Sequence, residues 1–288
     1  MTIDTKILVL GASGMLGNAM LRLFAQSERH EVAGSVRSER ALELLPDALH
    51  GRVFSGVDVE NIDSLTRLFA KVRPHVVVNC IGLVKQLAGA DDPLVAIPIN
   101  AILPHKIANL CDVAGARFVH ISTDCVFSGE KGMYVEADNC DAKDLYGLSK
   151  YLGEVDYPNA ITLRTSIIGH ELAGTQSLVG WFLSQKGTVM GFRRARFSGL
   201  PTVELARVIL DYVIPHPELH GLYHVSANPI NKFDLLSLVA QAYEKKIDIL
   251  PDDKLMIDRS LDSSRFRGVT DYKPPDWPEL VRRMREFS

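Results

Sequence analysis

Tyr146 and Lys150 stand four residues apart in "DLYGLSKYLGE", at the start of a helical pattern. At that spacing the two side chains share one helix face. A phenol beside an ammonium is a proton-transfer pair: the tyrosine pKa is about 10 in water, and a neighbouring cation favours the phenolate. A second cluster of reactive groups lies in "ISTDCVFSG", where an apolar strand end runs into Ser122, Thr123, Asp124 and Cys125. A hydroxyl there could donate to an oxygen on which negative charge develops. The residue types alone leave open which of the four takes part.

Those side chains need a scaffold and a second reactant. The strand pattern "KILVL" (6–10) runs directly into "GASGMLGNAMLRLF", which puts Gly11, Gly14 and Gly17 between a buried strand and an amphipathic helix. Gly11 can take the tight turn, Gly14 lets a pyrophosphate approach the backbone, and Gly17 lets the helix pack on the strand. The amides near Ser13, Met15 and Leu16 would then face phosphates. About 20 residues further on, where an acidic residue would hold a ribose diol, the sequence reads "AGSVRSER" and offers Arg37. A guanidinium suits a 2′-phosphate better, so NADPH is expected before NADH. Asp58 and Val59 follow the third strand, where the carboxylate can accept from an adenine amine or cap the next helix. Asn79, Cys80, Ile81 and Gly82 leave the fourth strand, as cofactor lining or as turn and core residues.

Strand patterns at 6–10, 31–36, 52–57, 75–81, 117–122 and 160–165 alternate with helical patterns near 15–26, 38–45, 61–72, 93–114 and 145–155. That alternation predicts an α/β fold, a Rossmann-type doubly wound parallel sheet. Beyond about Ser166 it breaks up. "VELARVILDYV" and "KFDLLSLVAQAYEKK" read as helices, and "GLYHVS" and "KIDIL" as isolated strands. The expected division is a cofactor-binding domain over 1–166 and a smaller mixed α/β substrate lobe over 167–288, whose chain can weave back into the first.

With "GASGMLG", "VVVNCIG", "GARFVHISTDCVFSGEKGMYVEAD", "YGLSK" and "LRTS" in this order, the sequence resembles the extended short-chain dehydrogenase/reductases. It is most similar to the dTDP-4-dehydrorhamnose reductase branch. The resemblance implies a catalytic set of Thr123, Tyr146 and Lys150, with Ser122 supporting the loop. It implies NADPH-dependent reduction of the 4-keto group of a nucleotide-activated 6-deoxy sugar. Hydride addition to a keto carbon leaves an alkoxide. Tyr146 would protonate it, Thr123 would orient it, and Lys150 would hold the nicotinamide ribose and favour proton release.

Two positions depart from that branch, whose members usually carry Tyr at the place of Cys125 and an aromatic near Ile167. The related GDP-fucose synthases carry a catalytic Cys at the first position, so an epimerase/reductase using Cys125 is the alternative, with a non-catalytic binding protein on the same fold as the third. Epimerisation needs a second acid/base, and "AGTQSLVGWF" holds no His; His170 is the nearest substitute. Simple reduction is therefore the expectation. Lys85 and Gln86 could meet phosphate or sugar, or cap a surface turn. Among Arg193, Arg194, Arg196, Arg259, Arg265 and Arg267, Arg196 is chosen to grip the diphosphate.

Charge and cysteine usage exclude other classes. Lys and Arg total 32 against 35 Asp and Glu, a net charge of −3, so no global basic field points to nucleic acid or anionic membrane. The four cysteines form no C-x-x-C pair, which suggests free thiols, with neither metal cluster nor disulfide framework. The apolar run before Gly11 is too short for a signal peptide. The expectation is a cytoplasmic enzyme acting on a nucleotide-diphosphate sugar, with a homodimer through 93–114 and 145–155 permitted by their mixed polarity.

Overall fold

The computed structural model describes residues 5–85 and 89–288. Its central element is a seven-stranded, wholly parallel sheet. Six strands come from the first 165 residues: β1 (Thr5–Leu10), β2 (His30–Ser35), β3 (Val53–Phe54), β4 (Val76–Asn79), β5 (Arg117–Thr123) and β6 (Ala160–Thr165). In the remainder β7 (Ile167–Ile168), β8 (Thr188–Phe192), β9 (Ala195–Phe197), β10 (Leu200–Pro201), β11 (Gly221–His224), β12 (Ile230–Asn231), β13 (Asp248–Asp252) and β14 (Ile257–Asp258) follow. The sheet order is β11-β6-β5-β4-β1-β2-β3. Strand order therefore reverses between β1 and β4, which opens the ligand crevice of such sheets at their carboxyl ends.

Burial explains the sequence pattern of the strands. Ile7 and Val9 face one core with Val78, Val119, Ile161 and Leu163, and Leu8, Leu10, Val77, Phe118 and Ala160 face the other. A strand covered on both faces has no solvent side, so it reads as a continuous apolar run. Helix Met15–Phe24 covers the first face with Leu16, Met20, Leu21 and Phe24; helices Ile62–Val72 and Leu103–Ala114 cover the second. Pro93–Ala114 forms 22 helical residues, long and apolar enough to cross a membrane by length and composition. Its Leu103, Ile107, Ala108 and Cys111 lie in the core, as in the covering helix of a sheet.

The isolated strand expected at "GLYHVS" is corrected. Gly221–His224 is β11, paired in parallel with β6, because Tyr223 and Val225 bury into the first core rather than into a separate one. The seventh strand of the main sheet is thus drawn from beyond residue 166. "KIDIL" contributes to β13, which pairs with β8. The other small ladders are β10 with β7, and β12 and β14 on either side of β9.

Candidate active site

Helix Met15–Phe24 starts at Gly14 with no side-chain cap, leaving its first amides free. Gly11 has φ +81°, a conformation open to glycine, and a Cβ at Gly17 would lie 2.1 Å from the Gly11 oxygen. The loop therefore turns tightly and the helix packs against it. Ser13 is half-buried and Met15 half-buried, with Leu16 and Gly17 buried beneath. Arg37 is exposed just past β2, immediately before Ser38, whose hydroxyl caps the following short helix. Asp58 is exposed, accepts from the Glu60 amide and is not the helix cap; Asn61 caps Ile62–Val72. Val59 is half-buried against the second core. This surface fits a dinucleotide: uncapped helix amides for the pyrophosphate, and beside them Arg37, a cation with no ion pair among the described residues.

The loop leaving β4 joins the glycine turn to the second cluster. A Cβ at Gly11 would lie 2.8 Å from Ile81 Cγ1, and one at Gly82 would lie 3.9 Å from Lys150 Nζ. Asn79 is consumed by the turn: its Oδ1 accepts from the Ile81 amide at 3.1 Å. Cys80 packs its sulfur on Met20 at 3.3 Å, and burial pushes its thiol pKa far up.

Helix Leu145–Leu152 begins at Asp144, whose carboxylate accepts from the Gly147 amide at 2.8 Å. The same carboxylate pairs with Lys85 Nζ at 2.7 Å, which places that ammonium 5.8 Å from the Tyr146 ring centre. Gln86 lies outside the described residues. A Cβ at Gly147 would lie 2.3 Å from the Cys125 carbonyl, so the helix start and the turn leaving β5 are in direct contact. Lys150 is 5 % exposed and donates to the Ile121 carbonyl at 2.7 Å. Thr123 Oγ1 accepts from the Cys125 amide at 3.2 Å and lies 3.3 Å from Asp124 Oδ1.

Charge at this site is controlled by burial. Burial pushes the Tyr146 phenol well above its ordinary value; the fields of Cys125, Asp124 and Asp144 add to that, and a hydrogen bond with Thr123 opposes it. The sequence-based expectation of a lysine-lowered phenol is thus not what the protein alone provides. A phenol that stays protonated is a proton donor, the form a reduction needs. Burial lowers Lys150 to about 8, with Glu154 working against it. Burial also raises Cys125 to about 11 and holds the Asp124 carboxyl above its usual range, Arg259 opposing both.

Residues 5–256 match the RmlD substrate binding domain family. The chain belongs to that family. A probable low-salt glycan biosynthesis reductase of Haloferax volcanii is 33% identical over 178 residues, which cover 60% of this chain and 57% of that protein's own length. Methionine adenosyltransferase 2 subunit beta of Rattus norvegicus is 24% identical over 282 residues, 92% of this chain and 75% of that one. In fold the chain is similar to a crystal structure of dTDP-4-dehydrorhamnose reductase from Bacillus anthracis in complex with NADP. The TM-score is 0.81 at 22% identity, over 99% of this chain and 100% of the other.

Two residues of this RmlD-family chain, Asn100 and Glu154, escaped the sequence reading, and a third, Arg259, was a candidate there but was passed over for Arg196. Arg259, next to β14, reaches under the site: its Nε donates to the Phe127 carbonyl at 2.8 Å, and its Nη1 lies 3.5 Å from Cys125 Sγ. Arg196, chosen from sequence, is 59% exposed and faces Asp258 at 3.6 Å. One arginine among many carries no signal until distant segments of the chain are brought together. Asn100 is 1% exposed in a π-helical segment, Ile97–Ile102, and exchanges hydrogen bonds with both the amide and the carbonyl of Leu83 while donating to Ser149. A polar residue in an apolar helix, "AIPINAI", was the available hint. Glu154 closes the set from beyond the helix end. His170 sits apart, bonded to Tyr243 at 2.6 Å and lining a small cavity with Asn18 and Arg22.

Proposed function

We propose that the protein is an NAD(P)H-dependent reductase of the 4-keto group of a nucleotide-activated 6-deoxy-4-keto sugar, with NADPH as the preferred cofactor. The observation that carries this reading is the gathering of Thr123, Tyr146 and Lys150 at the carboxyl end of β5, within contact of the glycine turn through Ile81 and Gly82. The cofactor, when bound, supplies a hydride. Lys150 donates to its ribose, Thr123 donates to the sugar oxygen and fixes its direction, and Tyr146 delivers the proton to that oxygen. Arg37 supports the choice of NADPH. Gly11, Gly14 and Gly17 with the amides near Ser13, Met15 and Leu16 hold the pyrophosphate, and Asp58, Val59, Cys80, Ile81 and Gly82 line the remainder.

On the sugar side Lys85 and Arg259 approach from the two halves of the chain, and Arg259 replaces Arg196 as the residue proposed to grip the anionic part of the substrate. Cys125 contacts the sugar as a neutral thiol. His170 lies with Tyr243 rather than with that thiol, so nothing in the geometry favours epimerisation. A homodimer through Pro93–Ala114 and Leu145–Leu152 is supported by exposed Leu94, Ile102, Leu148 and Leu152. The likeness to a methionine adenosyltransferase subunit favours a second reading, a non-catalytic partner that binds nucleotide without turnover.

A panel of dTDP-, UDP- and GDP-linked 4-keto sugars with NADPH and NADH tests both. NADPH oxidation with one of them, lost by at least about a thousandfold in Tyr146→Phe, supports the reductase. Undiminished turnover in that variant removes the mechanism, and NADPH binding with no turnover on any sugar supports the second reading.

A further inference from the structure

Consecutive residues of β5 are gripped by consecutive turns of one helix and its exit. Lys150 Nζ holds the Ile121 carbonyl at 2.7 Å, and Glu154 Oε1 accepts from the Ser122 hydroxyl at 2.6 Å. The next residue of the strand is Thr123. Glu154 is itself held by Arg164 in a two-pronged pair, Nε to Oε1 and Nη2 to Oε2, both at 2.7 Å, with the two side chains only 3% and 9% exposed. Ser122, Arg164 and His224 are register neighbours on β5, β6 and β11, so they form one row across the sheet just below the site. Arg164 Nη1 lies 3.3 Å from His224 Nε2, and His224 Nδ1 lies 3.0 Å from the Tyr134 carbonyl, an arrangement that fits a neutral ring donating from Nδ1.

A buried ion pair is weak evidence for stability, because desolvating both charges offsets their attraction and an apolar pair would pack as well. Its position suggests another use. Lys150 acts on His120 of β5 and shares its helix with Tyr146, around which Asp124, Cys125 and Asp144 are gathered; Arg164 and Cys140 stand by Glu154, with His224 on the far side of Arg164. His120 is fully buried and stays neutral, with Asn79 beside it. Asp124 and Cys125 are drawn toward Arg259. Glu154, four residues after Lys150 and just past the helix end, is the carboxylate whose field opposes the desolvation of that ammonium.

We propose that Glu154 is a positioning residue: oriented by Arg164 and Ser122, it keeps Lys150 protonated inside the protein while fixing the strand residue that precedes Thr123. This rests on the assignment of Lys150 to the cofactor made above. Catalysis and cofactor binding then depend on a carboxylate that touches neither substrate nor cofactor.

The test is NADPH affinity against pH, read from nucleotide fluorescence, so that no sugar is required. Wild type is expected to lose affinity as Lys150 deprotonates, and Lys150→Met is expected to lack that step. Glu154→Gln is expected to move the step to lower pH by on the order of one unit, and Glu154→Asp to restore it. Because Glu154→Gln leaves Arg164 buried and unpaired and can fail to fold, the double variant Glu154→Gln/Arg164→Met carries the same test with both charges removed. An unmoved step in a folded Glu154→Gln or double variant overturns the inference, as does a step in Glu154→Asp displaced as far as in Glu154→Gln. If Lys150→Met keeps the wild-type step, the assignment of Lys150 itself fails.

Discussion

Lys150 shows how a single side chain is tuned against its own stability. Its ammonium is desolvated, so the neutral form is favoured in the fold: the folded pKa is about 8 against the ordinary 10.5. Between those values the unfolded chain holds a proton that the folded chain has shed, so stability contributed by this residue rises with pH over that window and is lost as pH falls through about 8. Lys150→Met is therefore expected to be more stable than wild type at pH 7, with the difference shrinking from pH 8 to 10.5, in urea unfolding. A difference that does not change with pH would contradict the depressed value. At the same scale, Arg259→Ala is expected to raise KM for the sugar at least tenfold with NADPH affinity unchanged, whereas Arg196→Ala should leave both within about twofold, since its partner Asp258 lies on the surface ladder.

At the scale of elements, glycines set how closely the parts approach. Two of them separate the two halves of the reaction. A Cβ at Gly17 meets the Gly11 oxygen at 2.1 Å, so Gly17→Ala pushes the helix off the phosphate turn. A Cβ at Gly147 meets the Cys125 carbonyl at 2.3 Å, so Gly147→Ala displaces the first turn that carries Tyr146. The expected split is loss of NADPH affinity in Gly17→Ala, and loss of kcat with affinity largely kept in Gly147→Ala. Equal effects of both on affinity would show that the two elements move as one.

Across the whole molecule, the segment after the site is stitched to residues 258–262. Tyr134 N donates to the Ser260 carbonyl and the Asp262 amide to the Tyr134 carbonyl, while the Asp258 amide donates to Gly129 O at 2.8 Å. Tyr134 also stacks on Phe127, ring centres 4.1 Å apart, above Arg164. Arg259 belongs to this seam, so the contact between these segments and the proposed sugar contact share one strand end. A Cβ at Gly129 would lie 2.4 Å from Ile257 Cγ1, at φ +91°. Gly129→Ala is expected to open the seam, seen as faster hydrogen exchange at 127–135 and 257–262 and a higher sugar KM, with NADPH affinity retained. Unchanged exchange in both segments would show that the seam does not depend on this close approach.

The sequence by itself determined what depends on local pattern. The alternation of apolar runs with helical patterns set the order of the first six strands, since strands buried on both faces cannot hide their composition. "GASGMLG" set the tight glycine turn, because Gly11 at positive φ and Gly17 under a carbonyl admit little else. Tyr146 and Lys150 were legible through helix periodicity. Tertiary structure decided what depends on charges and strands far apart in the chain. It brought residue 259 under residue 125 while leaving Arg196 exposed, and it seated Gly221–His224 beside β6 in the main sheet. It also set the protonation of Tyr146, Lys150 and Cys125 through desolvation, a property of the assembled interior that no spacing in the sequence records.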